Sequence, residues 1–90
     1  MEEIIKTVSS HTGFTIEEIV SYKQTRPICE ARQIFMYLSK RLYGKSNLEI
    51  AQFLNRTRQN VGWQIANFDQ QLRIYKGLRK KVREIEDAIV

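Results

Sequence analysis

Ninety residues with 42% apolar and 10% aromatic side chains are enough for one modest core, which excludes a disordered chain and leaves room for one domain over residues 1–90. A single cysteine excludes an intrachain disulfide framework and fits a reducing compartment. No apolar run approaches the roughly 18 residues of a membrane span, and the acidic start lacks the apolar stretch of a secretory signal, so a cytoplasmic protein is expected.

The formal charge of +5 is unevenly placed. From Lys23 to Arg58 there are eight Lys or Arg against two acids, Glu30 and Glu49, whereas residues 1–22 hold four acids and one Lys. A basic centre with more neutral ends suits a surface that faces a polyanion. A basic globular domain with no such partner is the plainer alternative.

In chain order, residues 2–11 predict a short helix with Ile4, Ile5 and Val8 on one face, ended by Gly13. Thr15 and Glu18 form a capping box that opens a second short helix, running to about Tyr22 and burying Ile16, Ile19 and Val20. Tyr22 to Pro27 reads as a loop, with Pro27 disfavouring helix at Arg26. From Ile28 to about Tyr43 comes the longest helical pattern. Ala31, Ile34, Phe35, Leu38 and Leu42 repeat at helical spacing, with Arg32, Ser39, Lys40 and Arg41 largely on the outer side. This is the expected core helix, and Gly44 stops it.

The next stretch, Lys45 to Asn67, predicts two helices joined by a tight turn. Ser46 and Glu49 make a second capping box, followed by an apolar stripe of Leu48, Ile50, Ala51, Phe53 and Leu54. Asn55-Arg56-Thr57 is the break, since Asn and Thr bond locally to backbone. The following helix, about residues 57–71, turns Val61, Ile65, Phe68 and Leu72 inward. Its opposite surface begins with Arg58, Gln59 and Asn60, with Trp63 and Asn67 one and two turns on. These groups donate hydrogen bonds to base edges and phosphates, and none is negative. The pattern is that of a helix-turn-helix, a motif whose outline many helical hairpins share. After a weak break at Tyr75-Lys76-Gly77, Leu78, Val82, Ile85 and Ile89 mark a last helix packed on the core, with dimerisation as the lesser alternative. The expected fold is all-α, about six helices around the helix-turn-helix.

No catalytic constellation is visible. His11 reads as a surface residue, and Cys29 as a small packing residue without a histidine beside it. One Cys and one His cannot hold a structural zinc. The four glycines stand too far apart for a phosphate loop. No cofactor or metal is expected.

The run RQIFMYLSKRLY (residues 32–43), with SNLEIA (46–51) and FLNRTRQNV (53–61), resembles the C-terminal DNA-binding domain of the bacterial replication initiator DnaA. That family reads roughly RQIAMYLARELT, SLPEIG and FGGRDHTTV in the same places. The resemblance covers nearly the whole chain. It implies a Trp-repressor-like all-α fold whose second motif helix enters the major groove of double-stranded DNA, and a basic loop before the core helix that reaches a minor groove.

Carried over by position, the resemblance makes Arg32 a backbone contact, matches Arg56 to the signature arginine, and buries Val61 and Phe68. The family's Gly-Gly pair is lost, with Asn55 at one of its places. Thr57-Arg58-Gln59-Asn60 replace its Asp-His-Thr-Thr. Thr57 can still cap the helix, Arg58 can be bidentate to guanine, and Gln59 or Asn60 to adenine, which implies a different DNA code. Only Lys23 and Arg26 supply the basic loop, and the minor-groove position falls on Gln24, with Arg26 as its substitute. Gly62 and Trp63 also depart from the family. Gly62 costs about 1 kcal/mol in a helix relative to Ala, a sign of close approach, and Trp63 on the outer face suits a backbone or partner contact better than the core.

The expected function is double-stranded DNA binding in replication or transcription control, without ATPase activity, since no phosphate-loop motif occurs. Arg58, Gln59 and Asn60 would lie in the major groove, Arg32, Lys45, Ser46 and Arg56 would hold phosphates, and Lys23 and Arg26 would reach the adjacent backbone or minor groove. The alternative is a protein-binding module on the same fold, using Trp63 and the last helix to meet a partner or a second copy.

Overall fold

The structure, a computed structural model, describes residues 1–89 as six α-helices. They are α1 (Glu2–Thr12), α2 (Ile16–Val20), α3 (Arg26–Tyr43), α4 (Asn47–Leu54), α5 (Arg58–Ile74) and α6 (Lys76–Ile89). No strand occurs among the described residues. None of the helices is long and apolar enough to cross a membrane.

The ends of these helices are set by local chemistry. Gly13 (φ 82°) and Gly44 (φ 61°) take the left-handed conformation that ends α1 and α3. Thr15 and Glu18 close a reciprocal box at the start of α2. The Thr15 hydroxyl accepts from the Glu18 N–H at 3.1 Å, and Glu18 Oε1 accepts from the Thr15 N–H at 3.0 Å. α2 stops at Val20, short of the expected Tyr22, because Ser21 is already extended. α3 begins earlier than expected, at Arg26, with the Cys29 N–H donating to Thr25 O at 3.0 Å. Pro27 is tolerated there because the first turn of a helix has no internal acceptor for its N–H groups.

The α5–α6 break is a single residue, Tyr75, and Gly77 lies inside α6. Arg79 explains how so tight a corner is satisfied. Its guanidinium reaches back to donate to Leu72 O at 2.7 Å and Arg73 O at 3.0 Å, which are carbonyls at the end of α5.

α3 is the central element, as its periodicity predicts. Ile34, Phe35, Met36 and Leu38 are fully buried, and every other helix contributes side chains to the same cluster. Phe35 stacks on Phe53 of α4 at 5.3 Å, and Tyr37 meets the edge of Phe68 of α5 at 5.6 Å. Val82 and Ile85 bury the inner seam of α6 in this core. Two expectations fail on α3: Arg32 and Ser39 are buried, not outward. Helical spacing marks an apolar face, but α3 is wrapped on more than that face. Leu48, expected in the α4 stripe, is about half exposed.

Ser39 Oγ is buried with no hydrogen-bond partner among the described residues. A buried hydroxyl without a partner carries its desolvation cost uncompensated. Ser39→Ala is therefore expected to raise stability by about 1 kcal/mol, read by urea unfolding.

The capping boxes of α2 and α4 predict an acid dependence. Glu18 and Glu49 have pKa values below the ordinary 4.5, first because the cap backbone N–H donates to each carboxylate, then through the cap hydroxyl. A depressed folded pKa contributes stability that is present above the unfolded value and is lost as pH falls through the folded one. Unfolding curves should show stability dropping below the ordinary carboxylate range, with a shallower drop for the Glu18→Gln/Glu49→Gln variant.

Candidate nucleic-acid interface

The α4–α5 unit is assembled from three local devices. Ser46 and Glu49 form the predicted box at the start of α4, each bond 3.1 Å long. Asn55 then takes φ 56° and ψ 50°, the only non-glycine residue with positive φ among those described. Asparagine tolerates this conformation better than other side chains. The Arg56 N–H donates back to Ala51 O at 2.8 Å and the Asn55 N–H to Gln52 O at 3.3 Å, which closes the helix end. Thr57 restarts the chain as N-cap, its hydroxyl accepting from the Asn60 N–H at 3.1 Å. Gly62 faces α4 closely: a Cβ there would lie 3.2 Å from the Asn47 side-chain nitrogen, which would have to shift slightly.

A pair of arginines ties this unit to the loop before α3. Arg32, 5% exposed, donates through Nε to Ile19 O at 2.7 Å and through Nη2 to Ser21 O and Lys23 O at 2.8 and 3.1 Å. Arg56 reaches the same place from the turn, donating to Ser21 O at 2.5 Å, Leu54 O at 2.7 Å and Val20 O at 3.3 Å. Its guanidinium lies 4.3 Å from the centre of the Tyr22 ring, a cation–π contact. Burial, and next the repulsion of Arg32, lower the Arg56 pKa. Tyr22 completes the link: its hydroxyl donates to Asn55 O at 3.1 Å and accepts from Asn55 Nδ2 at 3.0 Å.

Lys23, Gln24 and Arg26 are exposed in the segment that follows this anchor, as are Thr57, Arg58, Gln59 and Asn60 at the start of α5. Arg26 lines a shallow depression with Gln71, Tyr75 and Lys81, toward the α5–α6 corner. Trp63 stands 68% exposed one turn further along α5, and Asn67 is half-buried. Lys45 is half-buried and lies 3.8 Å from Glu49, with Ser46 exposed beside it. Arg32 requires a correction: expected to hold a phosphate, it is buried and bonded to three backbone carbonyls. The Arg56 donors are likewise directed at the chain's own carbonyls, though part of that side chain remains accessible. Sequence reading missed Tyr22 and the Ser21 carbonyl as the anchor of the loop. An aromatic side chain after a short helix gives no local signal of a partner 33 positions away.

Two helices joined by a three-residue turn, the second with an exposed polar and positive first turn, define a helix-turn-helix domain. The family described as the bacterial dnaA protein helix-turn-helix matches residues 1–62. The chain belongs to that family. It is 29% identical over 90 residues to the chromosomal replication initiator protein DnaA of Bacteroides thetaiotaomicron, covering 99% of this chain and 19% of that protein. Over 50 residues, 56% of this chain, it is 44% identical to the DnaA proteins of Rhizobium meliloti and Rhizobium johnstonii, in each case 10% of the relative. The chain thus spans about a fifth or less of the length of these relatives.

The clamp makes a prediction that separates scaffold from phosphate contact. Arg32→Ala removes three hydrogen bonds, leaves the buried Ile19 carbonyl without this donor and should cost about 2–4 kcal/mol of stability, measured by chemical unfolding. At a temperature where the variant is still folded, the slope of DNA affinity against salt should equal that of the parent.

Proposed function

We propose that this chain binds double-stranded DNA through its helix-turn-helix, as part of replication or transcription control. The observation that carries the reading is the clamp. Arg32, Arg56 and Tyr22 hold the Ser21–Lys23 segment against the turn before α5, which supports a reading in which Lys23 and the start of α5 engage one duplex together. Arg58, Gln59 and Asn60 would meet base edges in the major groove, with Thr57 holding the helix start. Lys23, Arg26, Lys45 and Ser46 would lie along phosphates, which supply affinity without sequence information. The names of the relatives support replication initiation as the setting, and replication control is the process we favour.

Thr57-Arg58-Gln59-Asn60 stand where the family resemblance has Asp-His-Thr-Thr, so the preferred site should differ from the family's. Selection from a pool of random duplex DNA at moderate salt tests this. A short enriched motif is expected, and no retention of any duplex would sink the reading. Arg58→Ala should weaken the selected duplex by about 1–3 kcal/mol and relax preference at one base pair. Lys23→Ala should weaken all duplexes about equally and lower the salt slope by about one. If Arg58→Ala keeps the parent's preference at every position, the recognition-helix assignment is wrong.

A protein contact is the second reading, favoured by Ile74 and Tyr75, which stand 70% and 58% exposed at the α5–α6 corner. It predicts association that survives high salt, visible as concentration-dependent size in gel filtration.

A further inference from the structure

Trp63 is the chain's single tryptophan and one of its most exposed large apolar side chains. It is not part of the core, and among the described residues it stacks on no aromatic ring. Its position on α5 sets it apart from Ile74 and Tyr75. Trp63 lies one turn after Gln59, on the outer face that continues the exposed first turn. Around it the helix is small and neutral. Gly62 has no side chain, Ala66 is an exposed methyl, and Gln59, Asn67 and Gln70 are uncharged amides. The one acid nearby, Asp69, is paired with Arg73 at 3.3 Å. The indole therefore projects from α5 without a larger neighbour to shield it.

We propose that Trp63 reads the C5 methyl group of a thymine in the major groove; this rests on the DNA-binding reading above. The thymine methyl is the only apolar group on the base edges of that groove, so it is the natural partner for an exposed apolar ring there. Five residues of α-helix advance about 7.5 Å. The thymine is thus at a different base pair from the one met by Arg58. Trp63 is thus a specificity-determining residue whose contact is apolar, beside the hydrogen-bonding readers at the start of the helix.

The test replaces thymidine by deoxyuridine, one position at a time, in the duplex recovered by the selection described above. This removes the C5 methyl and nothing else. At one position uracil should weaken binding about fourfold, the effect of leaving one methyl group unburied. In Trp63→Ala that penalty should vanish, and in Trp63→Phe, which keeps an aromatic ring, most of it should remain. Emission from the only tryptophan reads the same contact on the unaltered chain, and it should change as the duplex saturates the protein.

Saturation without any change in emission would overturn the assignment while leaving DNA binding intact. So would a uracil penalty that persists in Trp63→Ala, or retention of DNA without an enriched motif. Emission that changes with protein concentration alone would place Trp63 in a contact between copies and refute the proposal. Failure to bind any duplex would refute the DNA-binding reading itself, and this one with it.

Discussion

Two guanidinium groups converge on the carbonyl oxygen of Ser21, and the arrangement of the candidate interface depends on that meeting. One comes from inside α3, the other from the turn of the helix-turn-helix. Burial first, and then the repulsion of Arg32, lower the Arg56 pKa. The arrangement is held because carbonyl oxygens surround both groups: Ile19, Ser21 and Lys23 for Arg32, and Val20, Ser21 and Leu54 for Arg56. Buried charge is tolerated when its donors are hydrogen-bonded. α2 is five residues long, too short to persist without tertiary support. The arginine pair and the burial of Ile19 give it that support, and the loop that follows inherits its place.

The clamp also changes how the charge of the chain should be read. A count of Lys and Arg suggests an eightfold positive segment from Lys23 to Arg58, yet two of those charges face inward. Two others are paired along the surface, Arg41 with Glu86 at 3.0 Å and Lys45 with Glu49 at 3.8 Å. Lys23, Arg26 and Arg58 are exposed and in no ion pair among the described residues. Within that segment the positive groups available to a polyanion are fewer than the composition implies. This favours a compact footprint with few phosphate contacts.

The departures from the family's signature have physical counterparts. Asn55 occupies a place where the family has glycine, and it adopts the left-handed conformation that glycine accommodates most easily. Its amide then bonds Tyr22, which a glycine could not do. Thr57 replaces an acid but keeps the capping bond. The left-handed turn and the helix cap are thus built here from Asn55 and Thr57. Backbone conformation at a turn admits several side chains, whereas a base edge discriminates among them.

The helix ends and the apolar faces were legible in the amino-acid sequence alone. Gly13, Gly44, Thr15 with Glu18, Ser46 with Glu49, and Thr57 act within one turn of themselves, and the spacing of Ile34, Phe35 and Leu38 needs only helical geometry. The exposed first turn of α5 followed from the same periodicity. Arg32 and Ser39 were misread because period gives a residue's angle about its helix and not what packs there. Tyr22, Ser21 and Arg56 were beyond local reasoning for a related reason. Their partners lie far along the chain and include backbone carbonyls, which every residue possesses and no sequence pattern marks. The helices and their order are thus properties of the sequence. Which positive charges serve the scaffold, and that Ser21 and Tyr22 are tied to the turn before α5, were decided only when the helices packed.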